Sequence, residues 1–138
     1  MGYLLDTCLL SEFLRKRSEQ RVLDWVETQD EEALYISVLA IGEIRKGIAK
    51  LPSSKRKTEL EEWLDGVVRR YGQRILPVTI STANLWGKIV GRLETIGRAL
   101  PVIDSLMAAT AVEHGLTLVT RNESDFTDAG ADVLNIWT

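Results

Sequence analysis

The sequence contains only one cysteine and one histidine, and these two scarcities exclude several kinds of active site. The single thiol, Cys8, cannot form an internal disulfide, which agrees with a reducing compartment. His114 alone cannot build a multi-histidine zinc site, and most Ser-His-Asp or Cys-His schemes are excluded with it. A glycine-rich phosphate loop of the Walker or dinucleotide-binding type is also missing.

Long apolar runs are absent as well. No segment approaches the roughly 20 apolar residues of a membrane-spanning helix, and the first residues predict a strand rather than a secretory leader. The 138 residues are the size of one domain, so we expect a single domain over residues 1–138, located in the cytoplasm without membrane attachment. The content of 45% apolar and 27% charged residues is typical of a soluble globular protein.

The net charge of −3 is unevenly distributed along the chain. Residues 45–74 contain nine Lys or Arg against four acids, whereas residues 99–138 contain one Arg against six acids. The basic runs are either solvated helix faces or a rim that attracts phosphate around an acidic centre. The overall acidity argues against a protein that merely coats nucleic acid.

Short apolar strands alternate with helices along the chain. This pattern predicts an α/β fold with a mostly parallel central sheet of about five strands, flanked by helices on both faces. The predicted strands are residues 2–5, 33–36, 74–78, 117–120 and 133–136. The predicted helices are residues 8–15, 19–28, 38–50, 55–71, 82–97 and 102–114. Ser37 and Ser54 are predicted N-caps, and Ser81 or Thr82 is predicted to cap the helix that ends near Gly97.

Asp104 is unusual because it stands in the first turn of an apolar helix. Pro101 sets where that helix begins, and Gly115 can end it in the left-handed conformation. A carboxylate in such surroundings needs a partner. The partner is either the positive end of the helix, which would make Asp104 structural, or a metal ion shared with other acids.

Three further acids are expected at the same edge of the sheet. Asp6 closes the first strand, Glu43 lies in the helix after the second strand, and Asp125 follows the fourth strand. In open parallel sheets, ligands bind at the carboxyl ends of the strands. Four carboxylates gathered there repel one another, and a hard divalent cation removes that conflict. Oxygen ligands without His or Cys favour Mg²⁺, with Mn²⁺ as the second choice.

The four segments that carry these acids resemble the motifs of the PIN-domain nucleases. The segments are residues 4–12, 37–47, 103–109 and 120–126. Their order and spacing extend over nearly the whole chain, and within this superfamily the chain is similar to the VapC-type toxins of bacterial VapBC toxin–antitoxin pairs, FitB-like members included. Cys8 departs from the pattern, because asparagine is common at that position.

The resemblance implies a PIN-like fold, a Mg²⁺-dependent ribonuclease activity, a cognate antitoxin and a homodimer. The predicted catalytic and metal-ligating residues are Asp6, Glu43, Asp104 and Asp125. The predicted hydrogen-bonding residues around them are Thr7, Ser37, Thr120 and Asn122. Some relatives carry aspartate in place of Asn122, so either Asp125 or a water held by Asn122 completes the metal shell. RNA rather than DNA rests on the resemblance alone, because none of these residues reads a 2′-hydroxyl.

Rival functions come from different classes of protein. A phosphoaspartate receiver domain also gathers acids on a parallel sheet, but it needs an aspartate after the third strand, and residues 77–80 offer none. A catalytically inactive PIN-fold interaction module and a DNA-directed nuclease are two further possibilities. An inactive module has no need to keep all four acids.

Two apolar sets are candidate contact surfaces for partners. The first two helices carry a set that forms either core or an antitoxin dock, namely Leu9, Leu10, Phe13, Val22, Trp25 and Val26. A second set recurs at helical spacing and could seal a twofold homodimer, namely Leu85, Trp86, Ile89 and Leu93.

Overall fold

A five-stranded parallel β-sheet forms the centre of the computed structural model, which describes residues 2–138. Its strands are β1 Tyr3–Leu5, β2 Leu34–Ser37, β3 Ile75–Leu76, β4 Thr117–Val119 and β5 Val133–Leu134. They lie in the order β3-β2-β1-β4-β5, and all four neighbouring pairs are parallel. The predicted α/β class and five-stranded sheet are confirmed, although β3 and β5 are shorter than predicted.

Helices fill the connections between the strands. They are α1 Thr7–Glu12, α2 Gln20–Thr28, α3 Val38–Ala49, α4 Lys55–Tyr71, α5 Ile80–Thr95, α6 Val102–His114 and α7 Glu123–Asp128. Connections from β1 lead first to β2 and β3 on one side, and the chain then returns to β4 on the other side. The strand order therefore reverses between β1 and β4. No helix within residues 2–138 has the length and apolar character that crossing a membrane requires.

Local capping explains where three helices begin and end. The Ser37 hydroxyl accepts the Leu39 N–H at 3.0 Å and starts α3, as predicted. The Ser54 hydroxyl does the same for α4. Gly115 ends α6 with φ of 64°, the left-handed conformation that its missing side chain permits.

The predicted cap of α5 is wrong. Thr79, not Ser81 or Thr82, is the N-cap, and its hydroxyl accepts the Thr82 N–H while the Thr82 hydroxyl accepts the Thr79 N–H. This reciprocal pair satisfies two backbone donors that a helix start otherwise leaves free. Helix α1 also ends three residues earlier than predicted, and the segment after β4 contains α7 where the sequence predicts a turn.

The core lies on both sides of the central strands. Leu4, Leu5 and Ile36 from the sheet are buried, and each contributes about 1.5–3 kcal/mol of burial free energy. Helix α6 packs closely through small side chains, with Ala108 and Ala109 fully buried. Because β1 is held from both sides by this packing, the residues that follow it are placed with little freedom.

Candidate active site

The edge where β1 and β4 end is the point at which the strand order reverses. Leu5 lies opposite Val119 in the sheet, and the Asp6 N–H donates to the Val119 carbonyl at 3.1 Å. Asp6 and Thr120 therefore leave the two strands side by side. Open parallel sheets bind their ligands in this position, because the neighbouring connections diverge and leave a crevice.

Asp6 is the most buried acid at this edge, with 5% of its surface exposed. Its Oδ1 accepts the Thr7 N–H at 2.8 Å, which caps α1. Its Oδ2 accepts the Thr120 hydroxyl at 2.7 Å and the Cys8 thiol at 3.3 Å. Three donors from two separate segments thus hold the carboxylate in one orientation.

Glu43 is joined to Asp6 through Thr7. The Thr7 hydroxyl donates to Glu43 Oε1 at 2.6 Å, while the Thr7 N–H bonds to Asp6. Glu43 lies in α3, six residues after its cap Ser37, and is partly buried. The glutamate side chain spans that rise of the helix, as expected from its length.

Asp104 reveals how close the four acids are. Burial, followed by the charges of Asp6, Glu43 and Asp125, raises the pKa of Asp104 to about 6 from an ordinary 3.8. Asp104 stands in the first turn of α6, where the helix dipole favours an anion, so burial and repulsion together outweigh that effect. Asp125 lies in the first turn of α7. The structure therefore brings the four predicted acids into one electrostatic cluster, which we call the acid cluster.

The acid cluster is not a closed metal cage as its side chains stand. Among residues 2–138, no three His, Cys, Asp or Glu side chains are placed so that they could hold one ion. The donor chemistry fits a hard divalent cation, because all four acids offer only oxygen and their repulsion helps to raise the pKa of Asp104. Glu43, Asp104 and Asp125 are only partly buried.

The predicted hydrogen-bonding residues separate into two groups. Thr7 and Thr120 contact the acids directly, and the buried Thr120 hydroxyl also accepts the Asn122 N–H at 3.1 Å. Asn122 contributes this backbone group, while its side chain is exposed. Ser37 is buried at the start of α3, and its hydroxyl bonds to the Leu39 N–H rather than to an acid. The structure gives Ser37 a capping role.

Cys8 contributes more to the site than the sequence indicates. Its thiol donates to Asp6 and lies 3.9 Å from the Thr120 hydroxyl, which a small buried apolar residue would not do. Burial, reinforced by the Asp6 charge, raises the pKa of this thiol to about 12. Cys8 is therefore a protonated donor to Asp6 at neutral pH. Its place two residues after Asp6, in the first turn of α1, is the signal that the sequence offers.

An apolar groove of about 460 Å³ lies between α1, α2 and α4. Of the set proposed as an antitoxin dock, Leu9 and Val22 are core residues, while Phe13 and Val26 line the groove. The other apolar lining residues are Leu10, Leu34, Trp63, Val67 and Tyr71. An ion pair between Arg70 and Glu31 forms part of its rim.

The set proposed for a dimer packs inside the chain instead. Ile89 and Leu93 are buried, and the Trp86 indole N–H donates to the Ser105 hydroxyl at 2.8 Å, which fastens α5 to α6. The exposed apolar residues of this helix pair are at its ends, with Ile80 and Val102 the clearest examples.

Comparison with known proteins gives consistent matches over nearly the full length. Residues 3–131 match the family model of the PIN domain. The VapC ribonuclease Y4jK of Sinorhizobium fredii is 34% identical over 135 residues, covering 97% of this chain and 96% of the relative. Toxin FitB of Neisseria gonorrhoeae is 35% identical over 135 residues, covering 97% of each chain. A crystal structure of FitAcB from the same organism superposes with a TM-score of 0.93 at 34% identity, covering 98% of each chain.

Proposed function

The chain belongs to the PIN-domain family, and from that membership we propose that it is a single-domain, metal-dependent ribonuclease that acts as the toxin of a type II toxin–antitoxin pair. Similar relatives are named as a ribonuclease and as a toxin, and each match spans almost all of both chains. The observation that carries the nuclease activity is the gathering of four carboxylates where β1 and β4 end, with Asp6 and Glu43 joined through Thr7 and all three other acids acting on Asp104.

Within this proposal the acid cluster holds the divalent cation, Mg²⁺ or Mn²⁺. Asp6 and Asp104 are the central ligands, and Glu43 and Asp125 complete the shell directly or through water. When bound, the cation supplies a Lewis acid that lowers the pKa of water and stabilises negative charge on the phosphodiester. The donors around Asp6 keep its carboxylate oriented before any ion arrives, which reduces the cost of binding.

Glu43 is the residue best placed to orient the attacking water. Its Oε1 is engaged by the Thr7 hydroxyl, and its Oε2 is left to accept a hydrogen bond from that water. A fixed acceptor aligns the nucleophile with the phosphorus, which is the main contribution of protein groups to phosphoryl transfer. Thr7 thereby becomes a positioning residue, because it fixes both Glu43 and the start of α1.

An antitoxin and a second copy are the proposed partners. We place an apolar segment of the antitoxin in the groove beside Phe13 and Trp63, where its side chains would cover exposed aromatic surface. None of the residues that line this groove belongs to the acid cluster, so an arginine that pairs bidentately with the carboxylates would have to come from beyond this apolar segment of the antitoxin. For the homodimer, the exposed ends of α5 and α6 around Ile80 and Val102 are the apolar surface available.

Total RNA and purified protein provide the direct test. We expect cleavage with millimolar Mg²⁺, none with EDTA, and none from Asp104→Asn, and mapping the cut ends will define the preferred sequence. A DNA oligonucleotide of matched sequence is the parallel arm, and preferential cleavage of DNA would replace RNA as the substrate. Absence of cleavage with Mg²⁺ and with Mn²⁺, in a correctly folded protein, would leave an inactive interaction module.

A further inference from the structure

One buried carboxylate has no part in the acid cluster. Glu12, the last residue of α1, is only 2% exposed. Its oxygens accept the Trp137 indole N–H at 2.8 Å and the Glu19 N–H at 3.2 Å, and the guanidinium groups of Arg15 and Arg121 lie at 3.4 and 3.6 Å. Burial alone would raise the pKa of Glu12, but these donors and charges hold it below its ordinary value. Glu12 is thus an ionised acid at neutral pH.

Arg121 links this buried acid to the acid cluster. Its backbone lies between Thr120, whose hydroxyl donates to Asp6, and Asn122, whose N–H bonds to Thr120. Its side chain extends to Glu12, and its guanidinium carbon lies 5.1 Å from the centre of the Trp137 ring. The backbone of Arg121 therefore lies beside the acid cluster, and its guanidinium lies against Glu12 and Trp137.

The guanidinium of Arg121 keeps donors available for a ligand. The 3.6 Å distance to Glu12 is longer than a hydrogen bond, and the side chain is 51% exposed. An arginine carries five N–H donors in a planar fork, so several of them face solvent. Such a fork matches two oxygens of a phosphate, and stacking on an indole restricts its motion.

Arg121 stands in a segment of the chain that is otherwise acidic. Residues 99–138, which supply Asp104 and Asp125, contain six acids, and Arg121 is their only Lys or Arg. A polyanionic backbone approaching the acid cluster is repelled by the acids of this segment. A fixed cationic group on the same segment offsets that repulsion for the neighbouring nucleotides.

We propose that Arg121 binds a backbone phosphate next to the scissile one, and that Glu12 and Trp137 are the positioning residues that hold its guanidinium. The inference rests on the proposed nuclease function. Arg121 touches the substrate, whereas Glu12 and Trp137 act only through Arg121. Because Arg121 contacts a phosphate and not a base, this contact contributes affinity that is independent of the RNA sequence.

Steady-state cleavage of a fluorogenic single-stranded RNA oligonucleotide tests the contact. We expect Arg121→Gln to raise KM about tenfold, the effect of losing one hydrogen-bonded ion pair, with kcat changed by less than about twofold. Arg121→Lys should recover part of the affinity, because it keeps the charge but not the fork. The control is Lys88→Gln, which removes an exposed cation on α5 and should leave KM unchanged.

Binding of the same oligonucleotide, measured by anisotropy in the cleavage-deficient Asp104→Asn background, gives an independent readout. Arg121→Gln should reduce the slope of log affinity against log salt by about 0.7, the value for one phosphate on a single strand. Trp137→Phe keeps an aromatic ring and removes the indole N–H, so it should raise KM about threefold alone and have no added effect with Arg121→Gln. If Trp137→Phe has a lower melting temperature than wild type, Glu12→Gln replaces it as the variant that weakens a positioning contact.

Three results would overturn the inference. These are an unchanged KM and salt slope in Arg121→Gln, a fall in kcat alone, and full additivity of Trp137→Phe with Arg121→Gln. A wild-type protein that cleaves no RNA would instead contradict the proposed function, and the anisotropy slope would still decide whether Arg121 contacts phosphate.

Discussion

Asp104 in the acid cluster and Glu12 at the end of α1 are two acids whose pKa values are shifted in opposite directions. Asp6 precedes the helix and belongs with Asp104 to the acid cluster, whereas Glu12 ends the helix among indole, backbone and arginine donors. The pKa of Asp104 is raised to about 6 by burial and three neighbouring carboxylates, while the pKa of Glu12 is lowered by the donors around it.

The contrast shows that burial of a carboxylate does not by itself identify a functional site. The Glu12 charge is satisfied within the chain, so its contribution is to stability and to the placing of Arg121. In the proposed function, the charges of the acid cluster are neutralised by a cation from solution. Burial raises the pKa of both acids, and the charges and donors around each acid decide the direction of the final shift.

The largest expected effect comes from removing a carboxylate of the acid cluster. Asp6→Asn and Asp104→Asn keep side-chain size but each remove a charge from the proposed metal site. We expect RNA cleavage to fall by at least roughly two orders of magnitude at saturating Mg²⁺. Glu123→Gln, an exposed acid in the same turn of α7 as Asp125, is the control and should cleave normally. Full activity in both cluster variants would refute the assignment.

The second-largest expected effect comes from removing the Glu12 carboxylate. Glu12→Ala leaves the Trp137 indole and the Glu19 N–H without an acceptor and opens a cavity, so we expect about 2–3 kcal/mol less free energy of unfolding. Urea unfolding measures this loss. Glu32→Ala, at an exposed position, should change stability by less than about 0.5 kcal/mol. Equal stability of the two variants would mean that Glu12 is not a structural acid.

The raised pKa of Asp104 gives a pH dependence of stability opposite in sign to that of an acid with a lowered pKa, such as Glu12. Its folded-state pKa is raised, so the stability it contributes is fully present below pH 3.8 and is lost as pH rises through about 6. Solvent screening at this partly exposed carboxyl limits the loss to about 1–2 kcal/mol. In EDTA, wild type should lose this amount across that pH range relative to Asp104→Asn, as measured by urea unfolding.

Mg²⁺ provides the check on that pH effect. Adding it at neutral pH should stabilise wild type more than Asp104→Asn, because binding to the folded state alone raises the free energy of unfolding. Parallel pH profiles for the two proteins in EDTA would contradict the proposed repulsion within the acid cluster.

The smallest effect concerns the basic region beyond the acid cluster. Lys46 and Lys50 follow Glu43 by three and seven residues, so they lie on its side of α3, and both are exposed. Replacing each by Gln should lower the salt slope of RNA binding by about 0.7 and weaken affinity only slightly. Lys88→Gln, on α5, is the control and should leave the slope unchanged. Arg56 and Lys57 are less suited to this role, because they donate to backbone carbonyls of Leu14 and Leu51.

Most of the fold follows from patterns that act locally. Alternation of apolar strands with helices, and caps such as Ser37 and Gly115, are readable because their causes lie within a few residues. Helix α7 is not predictable in this way, because its six residues are held by the buried Phe126 and not by local propensity. The cap of α5 is misplaced because Thr79, Ser81 and Thr82 all carry hydroxyls that can cap a helix, and local preference does not choose among them.

The candidate site likewise has features that the sequence predicts and contacts that it does not. The four acids are predictable because strand ends in a parallel sheet share an edge. The contact of Thr7 with Glu43 and that of Glu12 with Trp137 join residues 36 and 125 positions apart, and a single sequence carries no signal for such pairs.

The central place of β1 also bears on when during synthesis the acid cluster can form. Tyr3 pairs on one side with Leu34 of β2, but on the other side it pairs with Thr117, in a strand that is translated more than a hundred residues later. Contacts so distant along the chain form late and slowly. Until then Asp6 lacks its Thr120 partner, and Asp104 and Asp125 have no edge to meet on. Within the proposed function, a growing chain on the ribosome would therefore have no complete site for RNA cleavage until Asp125 has been translated.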